Sequence, residues 1–158
     1  MLLALAKQGG FHSETRVSHW LEIARTTVDQ FGGSLESIRL EPYAKAKKAL
    51  KLFPAIGDPG AGKILLFCSA GHGLPLDSNG SRVLLHVGCG RANSKNYAAQ
   101  YRSIQEAIAA DLPPEAGSLA RAHLLLRQHG KEICRDRDPC CHECPIVAMC
   151  EYAASPGL

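Results

Sequence analysis

The chain lacks several features that would assign it to a broad structural class. Its 158 residues contain no apolar run of the ~18 residues that cross a bilayer. The first residues carry neither a basic leader nor a cleavage site, so we expect a cytoplasmic protein without a membrane partner. Aromatic residues make up only 6%, charged residues 21% and hydrophobic residues 46%. This composition excludes disordered and collagen-like chains.

Signals for β-strands are also scarce, because β-branched runs are short and apolar residues recur at helical spacing. We therefore predict an all-α fold. Helices are expected at residues 17–31 and 43–52, and later at about 97–110 and 115–129. Two further helices have capped starts: Asp58 precedes Pro59 as a predicted N-cap, and Asp77 occupies the same kind of position before an apolar run.

The chain shows no internal repeat, low-complexity tract or long linker. We expect a helical part, residues 1–110, which includes a pair of helices joined by a tight turn at about 42–70. The remainder, residues 111–158, is predicted to hold a last long helix and a cysteine-rich loop.

Cysteines are the most informative residues. There are seven of them, and an odd number in a chain without a leader argues against a disulfide framework and for a metal or cluster site. Four of them follow the spacing Cys134-x6-Cys141-x2-Cys144-x5-Cys150. One C-x2-C pair with two flanking single cysteines suits a [4Fe-4S] cluster better than a zinc ribbon, which normally uses two such pairs.

Two alternatives to an iron-sulfur cluster remain open from the residues alone. Four thiolates also suit tetrahedral zinc, and His142 is a possible zinc ligand, although a solvated loop histidine is the commoner case. The thiols could also be free, which would expose them to oxidation. In each case Cys140 is the surplus thiol of this segment.

The turn at 53–60 is a candidate phosphate site. Backbone N–H groups of Ala55, Ile56 and Gly57 would point outward at a helix N-terminus, where a DNA phosphate can bind. Lys48 belongs to a basic flank beside the turn, which also contains Lys45, Lys47 and Lys51. The plainer alternatives are an ordinary helix–helix turn and a solvated charged face. The net charge of +3 permits nucleic-acid binding without requiring it.

Three segments together resemble the endonuclease III branch of helix-hairpin-helix DNA glycosylases. Residues 53–61, Phe-Pro-Ala-Ile-Gly-Asp-Pro-Gly-Ala, are similar to the family's hairpin Leu-Pro-Gly-Val-Gly-x-x-Thr-Ala. Residues 76–83 are similar to its Val-Asp-Thr-His…Arg-Val segment. His129-Gly130 before Cys134 matches its approach to a four-cysteine [4Fe-4S] loop of the same spacing. The resemblance covers roughly residues 10–152.

The resemblance implies a partial helical barrel and a function in base-excision DNA repair. The partner would be damaged double-stranded DNA, bound by a monomer that is nucleoid-associated in a bacterium. By the same resemblance, Asp77 would face the flipped nucleotide, stabilise the oxocarbenium-like sugar and orient the attacking nucleophile. From the residues alone, Asp77 is simply an N-cap.

The chain departs from this family at the lyase nucleophile. Bifunctional members carry a lysine two residues after the second hairpin glycine, and here that position is Pro59, which cannot form a Schiff base. Lys63 lies one helical turn further on and would reach the same pocket only if the helix were shifted. We therefore expect a monofunctional glycosylase that uses water.

Two more departures concern the ends of the chain. Family members have a further stretch of helical domain before the helix that matches residues 18–31, whereas few residues precede Gly10 here, so we expect exposed apolar helix faces. In the cluster loop, two aspartates balance two arginines, which predicts weak contact with DNA. The rival functions are a non-catalytic, degenerate DNA-binding module and a zinc-binding interaction domain.

Overall fold

A computed structural model describes residues 1–71 and 73–155. These residues form helices and turns and contain no β-strand, which confirms the predicted all-α class. The α-helices in this part of the chain are α1 (Leu2–Ala6), α2 (Ser13–Phe31), α3 (Glu36–Leu40), α4 (Tyr43–Leu50), α5 (Asp58–Phe67), α6 (Ser78–His86), α7 (Tyr97–Ile108), α8 (Ala116–Glu132) and α9 (Glu151–Ala154). None of the described helices is both long and apolar enough to span a membrane.

The chain divides into two compact units, Met1–Ala70 and Gly71–Leu158. The first unit contains α1 to α5 and the second contains α6 to α9. The domain boundary predicted from the sequence, after residue 110, falls within the second unit. The division of the chain at that residue stays a prediction. Residues 156–158 of its C-terminal part lie outside the described residues.

The first unit begins with α1 packed against α2, which ends at Gly32 in a left-handed conformation (φ 62°). Glycine suits this position because it has no Cβ to clash with the backbone. No residue of α2 is buried, and Trp20, Leu21 and Val28 are exposed, the last to 63%. The expected exposure of apolar helix faces is therefore confirmed for this helix.

The core of the first unit lies between α3, α4 and α5. Phe53, in the turn after α4, stacks on Phe31 with ring centroids 5.7 Å apart. Burial of each large apolar side chain contributes about 1.5–3 kcal/mol, so this core holds α4 and α5 together across the turn. The buried members are Ile38, Ala46, Leu50, Phe53, Ala61 and Leu65.

The second unit is organised by the packing of α6 on α8. Gly130 of α8 lies against the backbone of Asn79 in α6, and a Cβ added to Gly130 would meet the Asn79 carbonyl oxygen at 2.6 Å. This close approach joins the start of α6 to the end of α8. The buried apolar residues of the unit include Leu74, Leu76, Val83, Ile104, Ile108 and Leu119.

The helix boundaries correct the sequence expectation at α5. Asp58 was expected to be the N-cap, but the N-cap is Gly57, and Asp58 is the first helical residue with Pro59 in the first turn. The Asp58 carboxylate faces lysines of the preceding helix and segment instead of its own backbone. At α6 the expected N-cap is confirmed, because the Gly80 N–H donates to Asp77 Oδ1 at 2.8 Å. The short helix α3 was not expected.

Candidate functional site

The predicted phosphate-binding turn joins α4 to α5 within the first unit. Ala55 adopts a left-handed conformation (φ 63°), at the position where the resembling hairpin has glycine. A residue with a Cβ is strained there by about 1–2 kcal/mol. Ala55 and Gly57 are exposed, so the turn presents their backbone at the start of α5. Ile56 was expected to offer its N–H as well, but it is half-buried and its N–H donates to the Phe53 carbonyl at 3.3 Å within the turn.

An acidic side chain also lies at this turn. Asp58 Oδ1 is 3.1 Å from Lys51 Nζ and 3.5 Å from Lys47 Nζ. The hydrogen bond from Lys51, with added attraction from Lys47, lowers the pKa of the Asp58 carboxyl despite its partial burial. Asp58 thus binds two of the basic residues that the sequence assigned to the DNA-facing flank.

The structure places the remaining hairpin candidates on the two helices of the turn. Lys48 is exposed on α4. Lys63 is half-buried on α5, one helical turn after Pro59. Both lysines belong to the first unit, whereas Asp77 belongs to the second.

Asp77 is held at the start of α6 by two partners. Its Oδ1 accepts the Gly80 N–H, and its Oδ2 lies 3.4 Å from Nε of Arg127 on α8. The Asp77 side chain is 18% exposed, and that of Arg127 is 55% exposed. The carboxylate is therefore fixed in direction by both partners, and only a small part of the side chain is exposed to solvent. Sequence reasoning missed Arg127, which no local motif marks.

The four predicted cluster ligands line one small pocket in the second unit. Apolar side chains of α6 and of the segment after α8 complete its walls, together with His86, His129 and Tyr152. The lining includes Cys134, Cys141, Cys144 and Cys150 together with Val83, Ile133, Ile146 and Val147. Four cysteine sulfurs around one largely apolar pocket fit an iron-sulfur cluster, because such clusters are held by four cysteine thiolates.

The thiols of this pocket influence one another electrostatically. Burial raises the pKa of the Cys134 thiol, and the charges of Cys150, Cys144 and Cys141 raise it further against the opposing effect of the positive charge on Arg82. Within residues 1–71 and 73–155, however, no group of three or more histidine, cysteine or acidic side chains is close enough to hold a single metal ion. The four thiols therefore share one pocket without forming a ready-made site for a single metal ion in the described residues.

Arg82 connects the helix that carries Asp77 to the start of the cysteine loop. Its Nε donates to the Cys134 carbonyl at 2.8 Å, and its Nη2 donates to the Gly130 carbonyl at 2.6 Å and to Asn79 Oδ1 at 2.9 Å. Arginine presents several donors in a rigid planar group, so it can satisfy these acceptors together. In the sequence, Arg82 stands within the family-like segment 76–83, but no local signal there indicates its bonds to the Cys134 and Gly130 carbonyls.

The surplus cysteine and the loop histidine lie apart from the pocket lining. Cys140 Sγ accepts a hydrogen bond from Arg135 Nη2 at 3.0 Å. His142 is exposed, and its Nε2 is 3.4 Å from Glu143 Oε1. The structure thus favours the interpretation of His142 as a solvated loop residue.

Two histidines that the sequence analysis gave no role contact the cysteines. His86 Nδ1 is 3.2 Å from Cys134 Sγ, and His129 Nε2 is 3.6 Å from Cys144 Sγ. Burial, followed by the charge of Arg82, lowers the pKa of His86. His86 comes from α6 and meets Cys134 48 residues later in the chain, so no local sequence spacing could have revealed this contact.

Comparison with known proteins supports the resemblance. No protein-family model matches the chain. An endonuclease III from Sulfolobus acidocaldarius is 31% identical over 108 residues, which are 68% of this chain and 45% of that protein. An endonuclease III from Rickettsia felis is 33% identical over 110 residues, 70% of this chain and 47% of that protein.

A third relative carries a different name. A thymine-DNA glycosylase from Aeropyrum pernix is 26% identical over 137 residues, 87% of this chain and 57% of that protein. The chain spans about half the length of the curated relatives that it matches. The resemblance carried by its motifs is thereby confirmed, and over most of its own length the chain is similar to DNA glycosylases of the endonuclease III type.

Proposed function

We propose that this chain acts in base-excision DNA repair, binding damaged double-stranded DNA and hydrolysing the N-glycosidic bond of a flipped base. The observation that carries the proposal is Asp77, a carboxylate fixed at the start of α6 in a side chain that is partly exposed to solvent. Relatives named endonuclease III and thymine-DNA glycosylase support the same chemistry.

Asp77 has the properties that the hydrolysis needs. As the bond from the sugar to the base breaks, its electron pair leaves with the base, which takes up a proton, and positive charge develops on the sugar. A carboxylate directed at that charge stabilises it. Asp77 can also accept a proton from the water whose oxygen forms the new bond to the sugar carbon. Gly80 N–H fixes the direction of the carboxylate for both roles.

The turn between α4 and α5 would supply the phosphate contact. Exposed backbone at Ala55 and Gly57, at the start of a helix, offers N–H donors, and Lys48 adds a positive charge on α4. Such contacts position a duplex without reading its sequence. Binding should therefore be strongly salt-dependent.

Hydrolysis is favoured over a lyase reaction by the residues of α5. Pro59, in the first turn, has no amine with which to attack the sugar. Lys63 is half-buried one turn further along, so it is the residual candidate for a relocated nucleophile. A lyase reaction by Lys63 is the alternative that borohydride trapping tests.

A [4Fe-4S] cluster would be held by Cys134, Cys141, Cys144 and Cys150. Their common pocket supports this ligand set. Four cysteine thiolates are the usual ligands of a [4Fe-4S] cluster, and one C-x2-C pair with two flanking single cysteines suits such a cluster better than a zinc ribbon. When bound, such a cluster can supply one-electron chemistry, and it would join the loop to the end of α8.

Base release from duplex DNA tests the proposal. The panel is the parent chain, Asp77→Asn, Lys63→Ala, and the exposed controls Asp111→Asn and Lys131→Ala, each assayed with several damaged duplexes and with borohydride trapping. We expect base release that Asp77→Asn abolishes and Asp111→Asn retains, with no trapped adduct. A strong adduct that disappears in Lys63→Ala, but not in Lys131→Ala, would establish a lyase with a relocated nucleophile.

The same panel addresses the rival function of a non-catalytic DNA-binding module. Pro59 at the nucleophile position favours this rival. Salt-dependent DNA binding without base release on any duplex would select it. Metal analysis addresses the zinc-binding interaction domain: about four irons per chain support the cluster, and stoichiometric zinc without iron rejects it.

A further inference from the structure

His86 is held in one orientation beside a predicted cluster ligand. The residue ends α6, and its Nδ1 lies 3.2 Å from Cys134 Sγ. Its ring stacks on Tyr152, with centroids 4.1 Å apart and an angle of 4° between the planes. The stack restricts rotation of the imidazole, so Nδ1 stays directed at the sulfur.

The chemistry of a cluster ligand defines the role of this nitrogen. A cysteine that binds iron does so as a thiolate, which has no proton to donate. The contact is then a hydrogen bond only if Nδ1 carries the proton and donates it to the sulfur. Hydrogen bonds to cluster sulfurs are among the interactions that set the reduction potential of an iron-sulfur cluster.

We propose that His86 is a positioning residue that raises the reduction potential of the cluster by donating a hydrogen bond from Nδ1 to the Cys134 thiolate, with Tyr152 holding its ring. The inference rests on the cluster put forward under the proposed function. A donated hydrogen bond withdraws negative charge from the thiolate, so it stabilises the reduced cluster, which carries one more electron, more than the oxidised one.

Neighbouring groups are less suited to this role. His129 Nε2 is 3.6 Å from Cys144 Sγ, which is a longer contact. Arg82 uses its Nε for the backbone carbonyl of Cys134, not for the sulfur. The His86 imidazole is therefore the best-placed donor to the Cys134 sulfur among the described residues.

Three variants separate the hydrogen bond from the stack. His86→Phe keeps an aromatic ring against Tyr152 but removes the donor. His86→Asn places an amide N–H close to the position of Nδ1, and Tyr152→Leu removes the stack while keeping the histidine. His142→Phe, at the exposed loop histidine, is the matched control.

The readouts are iron content, the visible spectrum and the reduction potential from a redox titration without DNA. We expect a full complement of iron in His86→Phe with a lower potential, restoration toward the parent value in His86→Asn, and no change in His142→Phe. Tyr152→Leu should fall between the parent and His86→Phe, because the unstacked ring donates less often.

The outcomes distinguish this inference from the cofactor assignment. Unchanged potential in His86→Phe at full iron content overturns the hydrogen-bond role and leaves the cluster intact. Loss of iron in both His86→Phe and His86→Asn also overturns it, since the residue would then be structural. A parent chain containing zinc and no iron rejects the cluster itself, whatever the variants do.

Discussion

Gly130→Ala tests the packing that brings Asp77 and the cysteine loop into one unit. A Cβ at residue 130 would lie 2.6 Å from the carbonyl oxygen of Asn79 and 2.8 Å from its carbonyl carbon, whereas ordinary van der Waals contact begins at 3.4 Å. Both atoms are backbone at the start of α6, so no side chain can rotate to make room. The two helices would have to separate.

The expected cost follows from two opposing effects. Overpacking of a tight core costs about 1–3 kcal/mol, occasionally more, while alanine gains about 1 kcal/mol over glycine inside a helix. Separation of the helices would also weaken the 2.6 Å hydrogen bond from Arg82 to the Gly130 carbonyl. We expect a net loss of about 2 kcal/mol, which lowers the melting temperature by roughly 5 °C or more.

Gly117→Ala is the matched control, because Gly117 lies in the same helix and an added Cβ there meets nothing within 4 Å. It should keep or slightly raise the melting temperature. Thermal unfolding followed by circular dichroism, on proteins of equal iron content, compares the two variants. Equal stability of Gly130→Ala and the parent would refute the close approach of α6 and α8.

Three further changes have defined outcomes. Asp58→Asn should release Lys47 and Lys51, so duplex DNA should bind more tightly. The slope of log K against log salt concentration should become steeper by about 1–2. Unchanged affinity by fluorescence anisotropy would contradict this. Ala55→Gly should relieve the left-handed strain and stabilise the chain by about 1 kcal/mol in chemical denaturation. Cys140→Ser should keep the iron and the brown colour, whereas Cys144→Ser should lose both. Loss of iron in Cys140→Ser would show instead that Cys140 is a ligand.

Much of the second unit could be anticipated from local sequence signals. The N-cap role of Asp77 follows from an acidic residue before an apolar helical run, and the structure confirms it. The four cysteines lie close in the chain, so their spacing already restricted them to one loop. The prediction that Asp58 is the N-cap of α5 was wrong. The Asp58 carboxylate binds Lys51 and Lys47, which lie outside its own helix, and does not bond the backbone N–H groups of α5.

By itself, the sequence determined the all-α class, the capped start of α6 and the loop of cysteines, because helical periodicity, capping and short spacings are local properties of a chain. Only the tertiary structure decided the contacts between distant segments. Arg127 faces Asp77, and His86 meets Cys134, because α6 packs on α8 at Gly130. Their partners lie about 50 residues away in the chain, beyond the range over which side-chain periodicity carries information.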